Sequence, residues 1–283
     1  MKTLPIETVP KLKEAERQRI SAFIESEFGI KMPDNKRTLL EGRLAKRVAV
    51  CGLPSYGAYF DFVTTDPQGR DEFLRFADLV STHETSFFRE AGHFDYLKRH
   101  ALPKLVATTN GPLHVLSAAC STGEEVYTLA MVLEESLTEL GASARGFTVE
   151  GVDLSDRAVG IAQRGVYLAD KVKAVSPELA RSFLMRSRDR NKSLHRVVPE
   201  LRRKVVFHTG NLLTDPAYLR HAYDIIFCRN VLIYFDPANQ RRVIRSLLAR
   251  LKPEGLLFLG HSETMVSLDL PVKSVANAVY QSV

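Results

Sequence analysis

Arg89, Glu125, Asp153, Asn211, Asn230 and Tyr234 are the residues of this sequence whose types and surroundings could do chemistry, because most of them stand where a short apolar run gives way to polar residues. LHVLSA (113–118) runs into SAACSTGEE (117–125), FTVEGVD (147–153) closes on Asp153, KVVFH (204–208) is followed by Asn211, and DIIFC (224–228) by Asn230 and Tyr234. Where parallel strands end side by side, ligands bind in the crevice at their carboxyl ends. The polar residues at these four ends would therefore wall a pocket for a nucleoside-like molecule.

The type of molecule follows from what the ends lack. SAACSTGEE has one glycine, so it is neither GxGxxG nor a GxxxxGK[ST] phosphate loop. Its two acids would repel a pyrophosphate. A cofactor with a ribose and a positive or zwitterionic end suits them better, and S-adenosylmethionine carries a sulfonium, an ammonium and a carboxylate but no phosphate. Asp153 has the type and position to accept two hydrogen bonds from a ribose diol; equally, a strand-end aspartate caps the next helix, with Asp156 as a competing capper. Asn211 either offers its amide to adenine or holds a turn. Thr122 and Glu125 also have the spacing of a helix capping box. In STHETSFFRE (81–90), Thr85 and Arg89 stand at i, i+4 and would share a helix face, with Arg89 able to clamp a carboxylate, while Phe87 and Phe88 read as packing residues.

These residues need elements to hold them. Residues 1–80 read as a helical unit: Ile20, Phe23, Ile24 and Phe28 mark one buried helix face ending at Gly29, and Leu40, Leu44, Val48 and Cys51 mark another ending at Gly52. Residues 81–111 form a linker and a helix that contributes to the cofactor site. From 112 to 283 strands alternate with helices, the pattern of a doubly wound α/β sheet, and VKSVANAVYQSV at the end reads as a final antiparallel pair. About 168–203 exceeds any ordinary connection and reads as an inserted subdomain with strand-like pieces. Pro253-Glu254-Gly255 reads as a turn before the strand LLFLG (256–260).

The charge of +6 is unevenly spread over the 283 residues. Residues 181–204 hold nine Lys/Arg against two Asp/Glu, a local +7, and 36–47 hold five against one, a local +4. Such clusters either draw an acidic partner or are simply solvated. On the second, Lys36, Arg43 and Arg47 share a stripe beside the apolar face. The three cysteines are far apart with no CxxC, which fits reduced thiols in a cytoplasm, argues against structural zinc and leaves no metal expected. No stretch is apolar for long enough to cross a membrane, and the first residues lack the apolar core of a secretory signal.

Taken together, THETSFFRE, SAACSTGEE, FCRNVLIYFD and LFLGHSE, in this order and from about residue 18 to the end, resemble the chemotaxis receptor glutamate methyltransferases, the CheR family. The resemblance implies a class I S-adenosylmethionine methyltransferase: a doubly wound Rossmann-like sheet with a terminal antiparallel strand, preceded by a small all-helical domain and carrying an inserted antiparallel β-subdomain. It implies transfer of the methyl group to glutamate side chains of chemoreceptors, giving glutamyl methyl esters and S-adenosylhomocysteine. The cofactor-binding positions fall on Thr85, Arg89, Glu125, Asp153, Asn211, Leu212, Asn230 and Val231. His83 stands where the family often has Asn, and both can donate one hydrogen bond. Arg89 and Tyr234 match the residues nearest the transferred methyl, and either steer the acceptor carboxylate or, for Arg89, hold the cofactor's own. The family's receptor-contacting helix lies in the helical unit, which assigns Lys36, Arg43 and Arg47 to the cytoplasmic helical bundle of membrane chemoreceptors. The enzyme would be cytoplasmic and recruited to membrane-bound receptor arrays, without inserting in the membrane. A peptide tether on the β-subdomain is disfavoured, because the expected hairpin tip RSRDRNKS (186–193) lacks glycine.

Two other readings compete. A nucleic-acid methyltransferase would suit the sequence pI near 9.2, but methylases of base amino groups carry an Asn/Asp-Pro-Pro-aromatic motif where this chain has Asn230-Val231-Leu232-Ile233-Tyr234, and the basic clusters are poor in the aromatics that stack bases. A non-catalytic S-adenosylmethionine-binding signalling module would differ only in transferring no methyl to any protein.

Overall fold

The computed structural model describes residues 11–189, 191–213, 221–263 and 270–282. The helical unit consists of α1 (Glu14–Phe28), α2 (Arg37–Val50), α3 (Tyr56–Thr65) and α4 (Arg70–Val80). Ile20, Ile24, Leu40, Leu44, Val48, Tyr59 and Phe76 meet in its dry core, each from one stripe of its helix. α1 stops at Gly29, which takes the left-handed φ of 72° and donates its N–H to the Glu25 carbonyl. A Cβ at Gly29 would come within 2.7 Å of Leu213 and 2.8 Å of Phe235, so this turn also permits close approach between the helical unit and the sheet.

The exposed basic stripe expected on the second helix does not form. Lys36 ends a short 3-10 turn before α2. Arg47 is turned inward, its Nε and Nη2 donating to the two Glu72 oxygens at 2.7 and 2.6 Å, while Tyr59 donates to Glu72 at 2.9 Å. Glu72 is buried, so Arg47 neutralises a carboxylate that would otherwise be stranded without water. Arg47 therefore belongs to the internal wiring of the helical unit.

The chain continues through α5 (Gly92–Tyr96), a π-helical turn at Leu97–Ala101 and α6 (Leu102–Thr108) into β1 (Leu113–Ala118), α7 (Glu124–Glu139), β2 (Phe147–Asp153) and α8 (Asp156–Arg164). Then come β3 (Val166–Leu168), α9 (Pro177–Phe183), β4 (Leu184–Arg186), β5 (Leu194–Val197), α10 (Pro199–Arg202) and β6 (Val205–Thr209). β7 (Tyr223–Cys228), α11 (Pro237–Leu248), β8 (Leu251–Leu259), β9 (Val272–Ala276) and β10 (Val279–Ser282) complete it. The main sheet has the order β6-β2-β1-β7-β8-β10-β9. Its first five strands are parallel, and β10 runs antiparallel to both β8 and β9. The insertion is a separate antiparallel sheet in the order β3-β5-β4. Residue 190 of the expected hairpin tip lies outside the described residues. Among the described residues, no helix is long and apolar enough to cross a membrane.

Three local expectations are corrected by this fold. Residues 82–91 are not helical: Phe88 and Glu90 adopt left-handed φ of 53° and 54° on either side of Arg89, so Thr85 and Arg89 share no helix face. The capping box at Thr122 does not form, since Gly123 at φ 92° is the cap of α7 and Thr122 instead donates to Glu124. Pro253-Glu254-Gly255 lies within β8, where the register against β7 shifts between Tyr223 and Ile225 and Glu254 takes a φ of 60°.

Candidate functional site

The strand order reverses between β1 and β7, and a cavity opens at the carboxyl ends of β1, β2, β6 and β7. The helical unit closes it with Phe28, Ile30 and Val80; Leu154, Leu212, Val231 and Phe235 supply further apolar wall. Thr85, Arg89, Glu125, Asp153, Asn211, Leu212, Asn230, Val231 and Tyr234, nine residues singled out from the sequence, all line it. His83 does not: its ring turns to Asp78, with Nε2 3.1 Å from the carbonyl and 3.3 Å from Oδ1.

Asp153 is 8% exposed and sits at the end of β2. Its Oδ2 accepts from Ser121 N–H at 2.7 Å and its Oδ1 from Ser155 N–H at 2.9 Å. Burial pushes its carboxyl above the ordinary range, and these two N–H groups pull in the other direction. Each oxygen retains a lone pair for one more donor. Neither Asp153 nor Asp156 is the side-chain cap of α8; Ser155 accepts from Ala158 N–H and donates to Asp78 of α4. Beneath the loop, a Cβ at Gly151 would lie 2.8–3.0 Å from Val126, Phe207 and Cys120, so the loop rests directly on β2.

On the β7 side the sequence reading missed three charged residues. Arg229 has a side chain 1% exposed. Its Nε donates to Glu125 Oε2 at 2.8 Å, and its Nη1 to the Arg89 carbonyl at 2.9 Å and to His93 Nδ1 at 3.1 Å. Glu125 also accepts from Ser117 at 2.7 Å. Glu90 approaches the same Nη1 at 3.5 Å and accepts from Asn230 Nδ2 at 3.1 Å. His93 is held down to about 4 by burial first and then by the Arg229 charge, so it is the neutral acceptor this bond requires. Glu263, 6% exposed, takes the N–H groups of Asn230, Leu232 and Gly260 at 2.7–2.8 Å and so fixes Asn230 at a left-handed φ of 58°. A signal for Arg229 was present: a full charge directly follows the apolar run Ile225-Ile226-Phe227-Cys228.

At the rim, Arg89 Nη1 donates to the Glu84 carbonyl at 2.8 Å. The Lys36 ammonium stands 5.8 Å from the centre of the Tyr234 ring. Arg43 donates to the Val80 carbonyl at 3.1 Å and to Thr82 at 3.4 Å, tying α2 to the cavity wall. Asn211 divides its amide, Oδ1 accepting from Leu213 N–H at 3.0 Å and Nδ2 donating to the Glu27 carbonyl at 2.8 Å. It therefore holds the turn and also fastens α1 to the sheet.

The donor set fits S-adenosylmethionine. Asp153 has spare acceptors for a ribose diol, the walls are apolar on both faces, Arg89 brings a cation to the mouth, and the first turn of α7 offers Glu125 where a phosphate would require bare N–H groups.

Comparison with known proteins agrees with this geometry. Residues 83–280 match the family model described as "CheR methyltransferase, SAM binding domain", and residues 15–80 match "CheR methyltransferase, all-alpha domain". The chain is 36% identical over 258 residues to a chemotaxis protein methyltransferase of Escherichia coli (strain K12), covering 91% of this chain and 87% of the relative. It is 36% identical over 252 residues to chemotaxis protein methyltransferase 2 of Pseudomonas aeruginosa, with 89% and 87% covered. To the chemotaxis protein methyltransferase of Borreliella burgdorferi it is 31% identical over 254 residues, covering 88% of each.

Proposed function

This chain belongs to the CheR methyltransferase family, which binds S-adenosylmethionine, and from that premise we propose that it methylates glutamate side chains of chemoreceptors, acting in the cytoplasm at membrane-bound receptor arrays. The observation that carries the reading is the meeting in one cavity of Asp153 with a spare lone pair on each oxygen, apolar walls and a mouth bearing Arg89 and Tyr234, with Lys36 against the Tyr234 ring.

S-adenosylmethionine supplies an electrophilic methyl group on a sulfonium. A glutamate with an ordinary pKa near ~4.3 is already ionised at neutral pH and needs no general base. What remains for the protein is to align the carboxylate oxygen with the methyl carbon and sulfur, an orientation term worth up to roughly 7–11 kcal/mol in good geometry. Asp153 accepts from the ribose hydroxyls and fixes one end of that line. Arg89 and the Tyr234 hydroxyl steer the acceptor carboxylate at the other, and Lys36 and Arg43 add positive charge on the side from which an acidic helical bundle approaches.

The test is transfer of labelled methyl from S-adenosylmethionine to membranes containing chemoreceptors, recovered as methanol after alkali, which cleaves esters. Arg89→Ala should lower turnover about 100-fold, the usual loss for one charge-stabilising group, and Tyr234→Phe should cost less. Absence of base-labile methyl on any protein would overturn the proposal. Lys36→Glu should raise the receptor KM while leaving S-adenosylhomocysteine affinity unchanged, and the effect should fade above ~0.1 M salt, where the Debye length falls to about 10 Å. A KM independent of charge and salt would remove Lys36 from the receptor surface.

A further inference from the structure

Arg229 is a full charge held out of water. Its guanidinium lies 5.2 and 5.3 Å from the ring centres of Phe94 and Phe227, and its side chain is 1% exposed. Burying a cation this way is costly unless every direction is answered, and here the answers come from three different segments. Glu125 comes from the first turn of α7, the Arg89 carbonyl and Glu90 from the turn at 82–91, and His93 from α5. Arg229 itself continues β7 directly into Asn230, whose side chain returns to Glu90. One guanidinium thus bridges a carboxylate on the cofactor side of the cavity and the main chain of the arginine on the acceptor side.

The acceptor side needs such an anchor. Phe88 and Glu90 flank Arg89 in left-handed backbone that non-glycine residues seldom adopt, so this turn persists only if its surroundings over-determine it. The bond from Arg229 to the Arg89 carbonyl lies between those two residues. The cofactor side needs it too, because Glu125 has a side chain only 12% exposed and Ser117 offers it no charge.

We infer that Arg229 is a positioning residue for methyl transfer, which holds the Glu125 carboxylate in place for the amino end of S-adenosylmethionine and at the same time holds the turn that aims Arg89. The inference rests on the methyl-transfer reading above. Arg229 is the cation in direct contact with Glu125 among the described residues.

Two variants separate the two duties. In Arg229→Gln, Glu125 loses the guanidinium that holds it, and S-adenosylhomocysteine affinity by calorimetry should fall about tenfold, while adding Arg229→Gln to a Glu125→Gln protein should weaken binding no further. In Arg229→Lys, the charge stays but a single ammonium cannot serve Glu125 and the Arg89 carbonyl with the fork geometry of a guanidinium. Cofactor affinity should then stay within about threefold of wild type, while turnover falls at least tenfold with receptor KM unchanged. Should the Gln variant not fold, the Lys variant alone decides: full turnover overturns the inference. So does a folded Arg229→Gln protein with wild-type affinity. The calorimetric readout does not involve the acceptor, so a wild-type enzyme that methylates no receptor would sink the proposed substrate and leave this test intact.

Discussion

Replacing Glu263 by glutamine removes one charge and one acceptor and changes almost nothing in shape, so its effect can be worked out from the bonds. Oε2 accepts from Gly260 and Asn230, and Oε1 from Leu232. A glutamine can put its oxygen where Oε2 was and keep two bonds, but its NH2 then faces the Leu232 N–H, donor against donor. A stranded buried donor costs about 1–3 kcal/mol, and the two surviving bonds each lose about 1 kcal/mol of charge assistance. In the other direction, burial raises the Glu263 carboxyl above its ordinary range, and the neutral amide escapes that burden. The net destabilisation should be about 2–4 kcal/mol, read as a drop in thermal midpoint of roughly 2–4 °C for each kcal/mol. Because the same carboxylate holds Asn230 at a left-handed φ of 58°, calorimetry should also show S-adenosylhomocysteine binding weakened about tenfold. A variant melting within 1 °C of wild type, with the same affinity, would refute the reasoning that this carboxylate shapes the β7 end of the cavity.

Two further outcomes concern buried charge. His93 falls from its ordinary 6.5 to about 4 in the fold, so between those pH values the unfolded chain takes up a proton that the native state refuses, and stability drops as pH falls; the gap amounts to about 3 kcal/mol. His93→Gln, which keeps an acceptor for Arg229, should flatten that slope in denaturant titrations at pH 6.5 and 4, and equal slopes would contradict the assignment. Arg47→Ala should cost about 2–4 kcal/mol by stranding Glu72 in the helical unit; a urea midpoint equivalent to less than 0.5 kcal/mol would restore Arg47 to the receptor surface.

The sheet could be read from the sequence because its signals are local. The buried runs of β1 and β7 and the stripe of Ile20, Ile24 and Phe28 each lie within a few residues. The strand-end residues followed, since position in a parallel sheet dictates which side chains meet. What escaped was set by partners far along the chain. Arg47 has the local spacing of an exposed stripe, and only Glu72, 25 positions on, draws it inward. Thr85 and Arg89 have helical spacing, yet Phe87 packs on Tyr167 and the Arg89 carbonyl is claimed by Arg229, which together overrule it. Arg229 and Glu263 lie within FCRNVLIYFD and LFLGHSE, but nothing in those segments says what they touch; their importance lies in Glu125, 104 positions away, and in Asn230, 33 away.

The bond from Asn211 to the Glu27 carbonyl spans 184 residues, and this separation sets an order of events during synthesis. A ribosome adding about 5–20 residues per second needs roughly 10–40 s to travel from one partner to the other. By then α1 to α4 have long emerged, and Ile20, Ile24, Leu44, Tyr59 and Phe76 can close on one another without help from the sheet. The edge of the unit around Gly29 and Ile30 has no such early partner, because Leu212, Leu213 and Phe235, which close on it, do not yet exist. For that interval the nascent chain shows water an apolar surface that the finished molecule conceals, a natural foothold for chaperones. The cofactor cavity is thus among the last parts of the molecule to be assembled, and its capacity to bind reports that translation has passed both halves.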